Sequence, residues 1–189
     1  MTINALIARR VRELRNAKGY SLDALAKCSG VSRSNISLIE RGESSPTAAL
    51  LDKLAGGLGV TLASLFERSE APVAEPSPIA RAADQPAWTD PASGYVRRNL
   101  SPAAQPIQLV EVIFPAGQRV TYESVARTSE VHQQVWVIDG AIEITVADKL
   151  WRVETGDCLA MSLDGPIIFH NPFNASARYL VALVRQPES

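Results

Sequence analysis

The sequence predicts a multi-domain α + β chain: five short helices over residues 1–68, a Pro/Ala-rich linker over 69–93, and a small β-barrel over 94–189. Three observations carry this reading. The apolar residues recur with a helical period through the first third of the chain, then with a period near two from residue 94 onward. Between the two regimes, residues 67–93 hold five prolines and little periodicity, which suits an extended spacer. Finally, residues 21–42 read as two short helices joined by a tight turn at Ser29-Gly30.

The helices follow in order. Residues 4–18 form an amphipathic helix with Leu6, Ile7, Val11 and Leu14 facing inward. Ser21 is placed as an N-cap before Leu22, Leu25 and Ala26. Gly30 suits a left-handed C-terminal position, where a Cβ is unfavourable. Ser32 caps the next helix, Ile36 and Ile39 bury one face of it, and Gly42 stops it. A fourth helix spans 47–58, with Thr47 as its cap after the Pro46 break, and residues 61–66 make a short fifth.

The helix after Ser32 leaves Arg33, Ser34, Ser37 and Leu38 on its open face. Small polar and basic side chains on a short helix behind a tight turn suit entry into the major groove of DNA. Charge agrees: residues 1–70 hold ten Lys/Arg against seven Asp/Glu, whereas residues 71–189 hold nine against thirteen. The whole chain, at net charge −1, conceals this asymmetry. A basic excess this small predicts weak binding by one copy, and hence a homodimer on two half-sites of double-stranded DNA.

Residues 8–66 resemble the Xre-type, phage-repressor-like helix-turn-helix family. The run G-V-S-x-x-x-I-S-x-I-E-R-G-x-x-x-P, from Gly30 to Pro46, carries the likeness. The resemblance implies base-reading roles for Ser32, Arg33, Ser34 and Leu38. It implies phosphate contacts for Asn35, Arg41 and the 43–45 loop that includes Ser44, and an ion pair between Arg15 and Glu40. The alternatives are Ser32 as a cap alone, Arg33 as a solvated charge, and Leu38 as a core residue. Leu22 stands where the family usually has Gln, which removes one expected backbone contact.

From residue 94, β-branched runs alternate with turns, at 108–114, 133–138, 141–147, 157–162, 166–171 and 177–184. Asp139-Gly140 is predicted to be a hairpin turn between two of them. Trp88, unusual in the linker, is predicted to pin it to the second domain. The second domain resembles a cupin, a double-stranded β-helix barrel, through Pro115-Ala116-Gly117, Val135–Gly140, Gly156-Asp157 with Leu159, Pro166 and Asn171-Pro172. In that family three His and one Glu hold a metal. The matching positions here are Tyr122–Val125, Gln133 and Ile167, and the chain has only two histidines, His132 and His170. No metal and no cofactor are therefore expected. A rebuilt site from His132, Glu123 and Glu130 is the alternative.

Strand parity places Gln133, Val135 and Val137, and Ile167, Phe169 and Asn171, inside the barrel. A ligand pocket of Tyr122, Glu123, Gln133, Val135, Met161, Ile167, Phe169 and Asn171 is expected, with Arg119 near its rim. No catalytic residues are expected. The sequence thus points to a DNA-binding transcriptional regulator, a repressor, whose metal-free barrel senses a small-molecule effector, dimerises, or both. The alternatives are a cupin-type metalloenzyme with a DNA-binding domain and an antitoxin-like or structural dimer. No apolar run is long enough for a membrane span, the chain opens on an amphipathic helix, and Cys28 and Cys158 show no paired spacing. A cytoplasmic protein is expected.

Overall fold

The computed structural model describes residues 2–67, 77–102, 105–123, 131–163 and 165–185. Four α-helices open the chain: α1 (Ile3–Ala17), α2 (Leu22–Ser29), α3 (Arg33–Glu40) and α4 (Ala48–Gly57). Each starts at a hydroxyl cap. Thr2, Ser21, Ser32 and Thr47 accept from the backbone N–H of Ala5, Ala24, Asn35 and Leu50. Gly30 ends α2 at φ 69°, a conformation a side chain disfavours. Ile7, Val11, Leu25, Ile36, Ile39, Leu51, Leu54 and Leu58 form the buried centre.

The fifth helix is not α-helical. Leu62–Phe66 is a 3-10 turn. Five residues are too few for a regular i→i+4 ladder. Thr61 caps it through Ser64 N–H, and the two hydroxyls lie 2.9 Å apart.

Among the described residues, ten strands follow: β1 (Ala87–Thr89), β2 (Val96–Asn99), β3 (Ile107–Phe114), β4 (Arg119–Tyr122), β5 (Val131–Asp139), β6 (Ala141–Val146), β7 (Lys149–Glu154), β8 (Cys158–Ser162), β9 (Ile167–His170) and β10 (Ala177–Arg185). They form two antiparallel sheets, ordered β1-β2-β3-β10-β5-β8 and β4-β9-β6-β7. Alternate residues of both sheets enclose one interior: Val135 and Val137 from β5, Ile142 and Ile144 from β6, and Ile167 and Phe169 from β9 are buried. This is the small β-barrel that the strand pattern predicts.

Two further expectations need correction. Asp139-Gly140 does not close a hairpin, because β5 pairs with β10 and β8 while β6 pairs with β7 and β9. The turn carries the chain from one sheet to the other. Gly140, at φ 81°, passes so near Ser176 that an added Cβ would lie 2.8 Å from its carbonyl oxygen. The hairpin is instead β6–β7, turning at Ala147-Asp148 with Ala147 at φ 51°.

The linker is also shorter than the 69–93 expected. Residues 68–76 lie outside the described residues, but Ala82–Asp84 is a 3-10 turn and Ala87–Thr89 pairs with β2. Burial of Trp88 explains the change: its ring packs 5.5 Å from Phe66 and edge-on to Tyr95 at 5.9 Å. Trp88 therefore pins this segment to both domains, not to the barrel alone.

The helical domain and the barrel are docked together through polar contacts. Thr61 Oγ1 donates to Gln108 Oε1 at 2.6 Å, Asn99 Nδ2 donates to Ala63 O at 2.9 Å, and Lys53 Nζ meets Glu123 Oε2 at 2.8 Å. Among the described residues, no helix is long and apolar enough to cross a membrane.

Candidate DNA-binding face and barrel cavity

Helix α3 is seated by its buried face. Ile36 and Ile39 are almost fully enclosed, and Glu40 behind them receives Arg15 through two hydrogen bonds of 2.6 and 2.7 Å. Arg15 also donates to Tyr20 O at 2.9 Å. This bidentate pair, implied by the family resemblance, ties α1 to α3 and raises the pKa of Arg15. The recognition helix is thereby held rigidly on the domain.

On the opposite face, Ser32, Arg33, Ser34 and Asn35 are exposed, and Ser37 and Leu38 are half-buried. Ser32 acts as a cap, 3.2 Å from Asn35 N–H. Leu38 is not core: it lines a shallow groove with Leu22, Arg33, Ser34, Ser37 and Arg41. The Leu22 that replaces the family's Gln thus faces the same groove. Two cations on this face already have anionic neighbours. Arg33 Nε lies 3.4 Å from Asp23 Oδ1. Arg41 bonds Glu43 at 2.9 and 2.8 Å, and also reaches the Ser37 hydroxyl. The Arg41 hydrogen bonds hold the Glu43 carboxyl below its ordinary pKa. Ser44 is half-buried in the following loop.

The barrel contains a cavity that is lined by both domains. Asp52, Thr61 and Leu62 close it from the helical side. Arg97, Val110, Val112, Gln133, Val181 and Leu183 are among its barrel walls. Three tyrosines, Tyr95, Tyr122 and Tyr179, also line it, and the Tyr95 and Tyr122 hydroxyls lie 3.0 Å apart. Burial pushes the pKa of all three phenols up, so each is a neutral hydrogen-bonding group at ordinary pH. Phe169 stacks on Tyr179 and meets Tyr122 edge-on.

Five of the eight expected pocket residues reach this cavity: Tyr122, Glu123, Gln133, Ile167 and Phe169. The other three do not. Val135 is fully buried core. Met161 receives the Gln133 amide at its sulfur, 3.9 Å away, outside the lining. Asn171 is a turn-former, donating to the carbonyls of Phe114 and Ala175 and accepting from Phe173 N–H. A buried amide with every polar atom committed to backbone has nothing left for a ligand. Arg119, placed near the rim by sequence, is exposed on β4 and outside the lining.

Arg97, Tyr95 and Tyr179 carry no motif, yet a period-two reading of Tyr95–Asn99 would have found the first two. It puts Tyr95, Arg97 and Asn99 on one face, and those three are the buried ones.

The positions matching cupin metal ligands do not suit a divalent ion. Ile167 has no ligating atom, and Gln133, whose N–H donates to the Met161 sulfur, offers only a neutral amide oxygen in place of a carboxylate. His170 points away from Ile167 and meets Glu143 at 3.5 Å. Glu130, part of the alternative site, lies outside the described residues. Among the described residues, no group of three or more His, Cys, Asp or Glu gathers as a metal site would require.

The segment that forms α2, the Gly30 turn and α3 matches a known family. Residues 11–65 fit the model of the helix-turn-helix family HTH_3. This is a helix-turn-helix transcriptional regulator. The HTH-type transcriptional regulator SutR of Escherichia coli is 27% identical over 180 residues, covering 95% of this chain and 94% of that one. The HTH-type transcriptional regulator PuuR of Escherichia coli is 26% identical, with 92% of each chain covered. An HTH_3 family transcriptional regulator from Vibrio cholerae superposes with a TM-score of 0.76 at 23% identity, covering 98% of both chains. The regulator therefore shares its two-domain fold with that protein along nearly its whole length. Its helix-turn-helix domain assigns it double-stranded DNA as a partner.

Proposed function

We propose that this regulator is a homodimeric repressor whose affinity for its operator is set by a small molecule held in the barrel. The observation that carries this reading is the shared cavity. Asp52 belongs to α4, and Thr61 and Leu62 belong to the segment that follows it, so an occupant of the barrel touches the DNA-binding domain directly. A ligand shifts such an equilibrium only by binding one domain arrangement better than another, and a wall made by both domains supplies that difference. The donor chemistry at Gln133 and Ile167 favours a receptor over a metalloenzyme, and no catalytic role is assigned to the barrel.

Dimerisation is supported by the outer face of the larger sheet. Trp136 is 47% exposed there, beside Cys158 across the β5–β8 ladder. An exposed Trp on a sheet face suits burial against a second copy. A short recognition helix also needs a twin on the adjacent half-site.

The test is a reporter driven by the regulator's own upstream DNA, combined with a cavity-filling variant, Val181→Trp. The wild type should switch with growth condition, whereas the filled variant should hold one state while still binding DNA in a gel shift. Identical switching by both proteins would sink the sensing reading. Light scattering should give twice the 20.4 kDa chain mass, and Trp136→Glu should halve it; a monomeric wild type defeats the dimer.

A further inference from the structure

We propose that the molecule held in the barrel is an acid, with an oxyanion headgroup, a carboxylate in the first instance, seated against Arg97 and an apolar body among Val110, Val112, Val181 and Leu183. This rests on the sensing reading above and names the chemistry of that same site.

Arg97 is the unusual residue. It sits on β2 with Trp88 beside it on one side and Val112 on the other. It is only 6% exposed, and it lines the cavity. Its guanidinium carbon lies 4.9 Å from the centre of the Phe66 ring. Its Nε is buried and, among the described residues, has no hydrogen-bond partner. Arginine does not shed its proton in proteins, so burial cannot neutralise it. A π face offsets part of the desolvation of a cation but fills none of its donor positions. A buried, permanently charged group with an open donor is stabilised by an anion that accepts from it.

The surroundings select an acid over other anions of larger charge. The Tyr95 hydroxyl, 3.0 Å from that of Tyr122, already meets the Arg97 guanidinium, so the pair adds neutral hydrogen-bonding groups beside the open Nε. The remaining barrel wall is largely aliphatic and aromatic. Two carboxylates also lie in the lining. Glu123 is held by Lys53 at 2.8 Å. Asp52 stands on the α4 wall, and no ion pair joins it to Arg97 among the described residues. One buried guanidinium in a chamber whose remaining wall is mostly apolar suits one negative charge on a compact hydrophobic body. It also places that charge beside Phe66, so the headgroup bears on the joint between the domains.

The experiment uses the full chain and matched probes: acetate, hexanoate and phenylacetate against acetamide, hexanamide and phenylacetamide, with phenethylamine as the cationic arm. Binding is read by calorimetry and by fluorescence of Trp88, the tryptophan buried next to this site. At least one acid should bind about tenfold or more tightly than its amide, the margin of a charge-assisted hydrogen bond over a neutral one. Arg97→Gln should erase that margin while circular dichroism stays native. The wild-type series decides the matter even if the variant fails to fold. Equal or tighter binding by an amide or the amine overturns the acid assignment and leaves sensing intact. If no acid binds at millimolar concentration while the wild-type reporter still switches, the assignment is likewise overturned. If the reporter is also silent, both readings fall.

Discussion

The Asp90 carboxylate accepts a hydrogen bond from the backbone N–H of Ala48 at 2.8 Å. Asp90 lies just past β1, and Ala48 opens α4. An acid from the barrel's edge strand therefore sits at the N-terminus of a helix in the DNA-binding domain, where it meets the positive end of the helix dipole. Its second oxygen accepts from Ser93 N–H at 2.8 Å and from the Ser93 hydroxyl at 2.6 Å. Asp90 is 2% exposed. Replacing it by Ala strands these buried donors and should cost about 1–3 kcal/mol. Urea denaturation measures this, and a variant as stable as the wild type would show that the contact contributes nothing.

Glycine inside a helix normally costs about 1 kcal/mol relative to alanine. At Gly57 the sign should reverse. A Cβ built there would lie 2.7 Å from Ser29 Cβ and 2.9 Å from Ser29 Cα, so α2 and α4 touch at this glycine. Gly57→Ala should therefore destabilise by about 1–3 kcal/mol through overpacking. Thermal melts of the pair decide it, because a raised Tm would mean the helices are free to separate.

On the DNA-binding face, Glu43 competes with DNA for Arg41. Its carboxylate holds the guanidinium at 2.8 and 2.9 Å and places a negative charge where phosphates would approach. Glu43→Gln should strengthen operator binding several-fold and steepen the salt dependence by about one contact. Arg33→Ala should weaken the same complex by about 1–3 kcal/mol. Anisotropy titrations at two salt concentrations separate the effects. Unchanged affinity for Glu43→Gln would place Arg41 away from the phosphates.

The three cavity tyrosines should make stability fall in alkali. Each is raised by burial above the ordinary phenol value of 10.0. The unfolded chain releases these protons first, so the native state holds more of them in this range. Stability should be intact below pH 10 and decline as pH climbs past it. Tyr122→Phe should flatten that decline, as followed by Tm against pH. An identical profile would mean that Tyr122 is not the group responsible.

Much of the helical half was legible because its signals are local. A hydroxyl before an apolar run marks a cap, and Ser21, Ser32 and Thr47 all cap. The inward parity of Gln133 and Phe169 followed from the pleat alone. What escaped depends on tertiary placement. Asp139-Gly140 has hairpin chemistry, yet the strands it joins belong to different sheets; Ala147-Asp148 has little turn signature and makes the real hairpin. Trp88 was expected to pin the linker to the barrel alone, and Arg97 carried no motif that singled it out. The docking of Phe66 onto the barrel joins both residues to the helical domain. Asn171 had the right face for a ligand, but its amide completes a turn.

The wall formed by Asp52, Thr61 and Leu62 bears on how this barrel can be moved between proteins. A barrel excised for biosensor engineering would leave part of its own chamber behind. Its ligand preference would then depend on whichever host supplied the replacement surface. A graft that carries the segment from α4 through Phe66 along with the strands keeps recognition and readout as one transferable part.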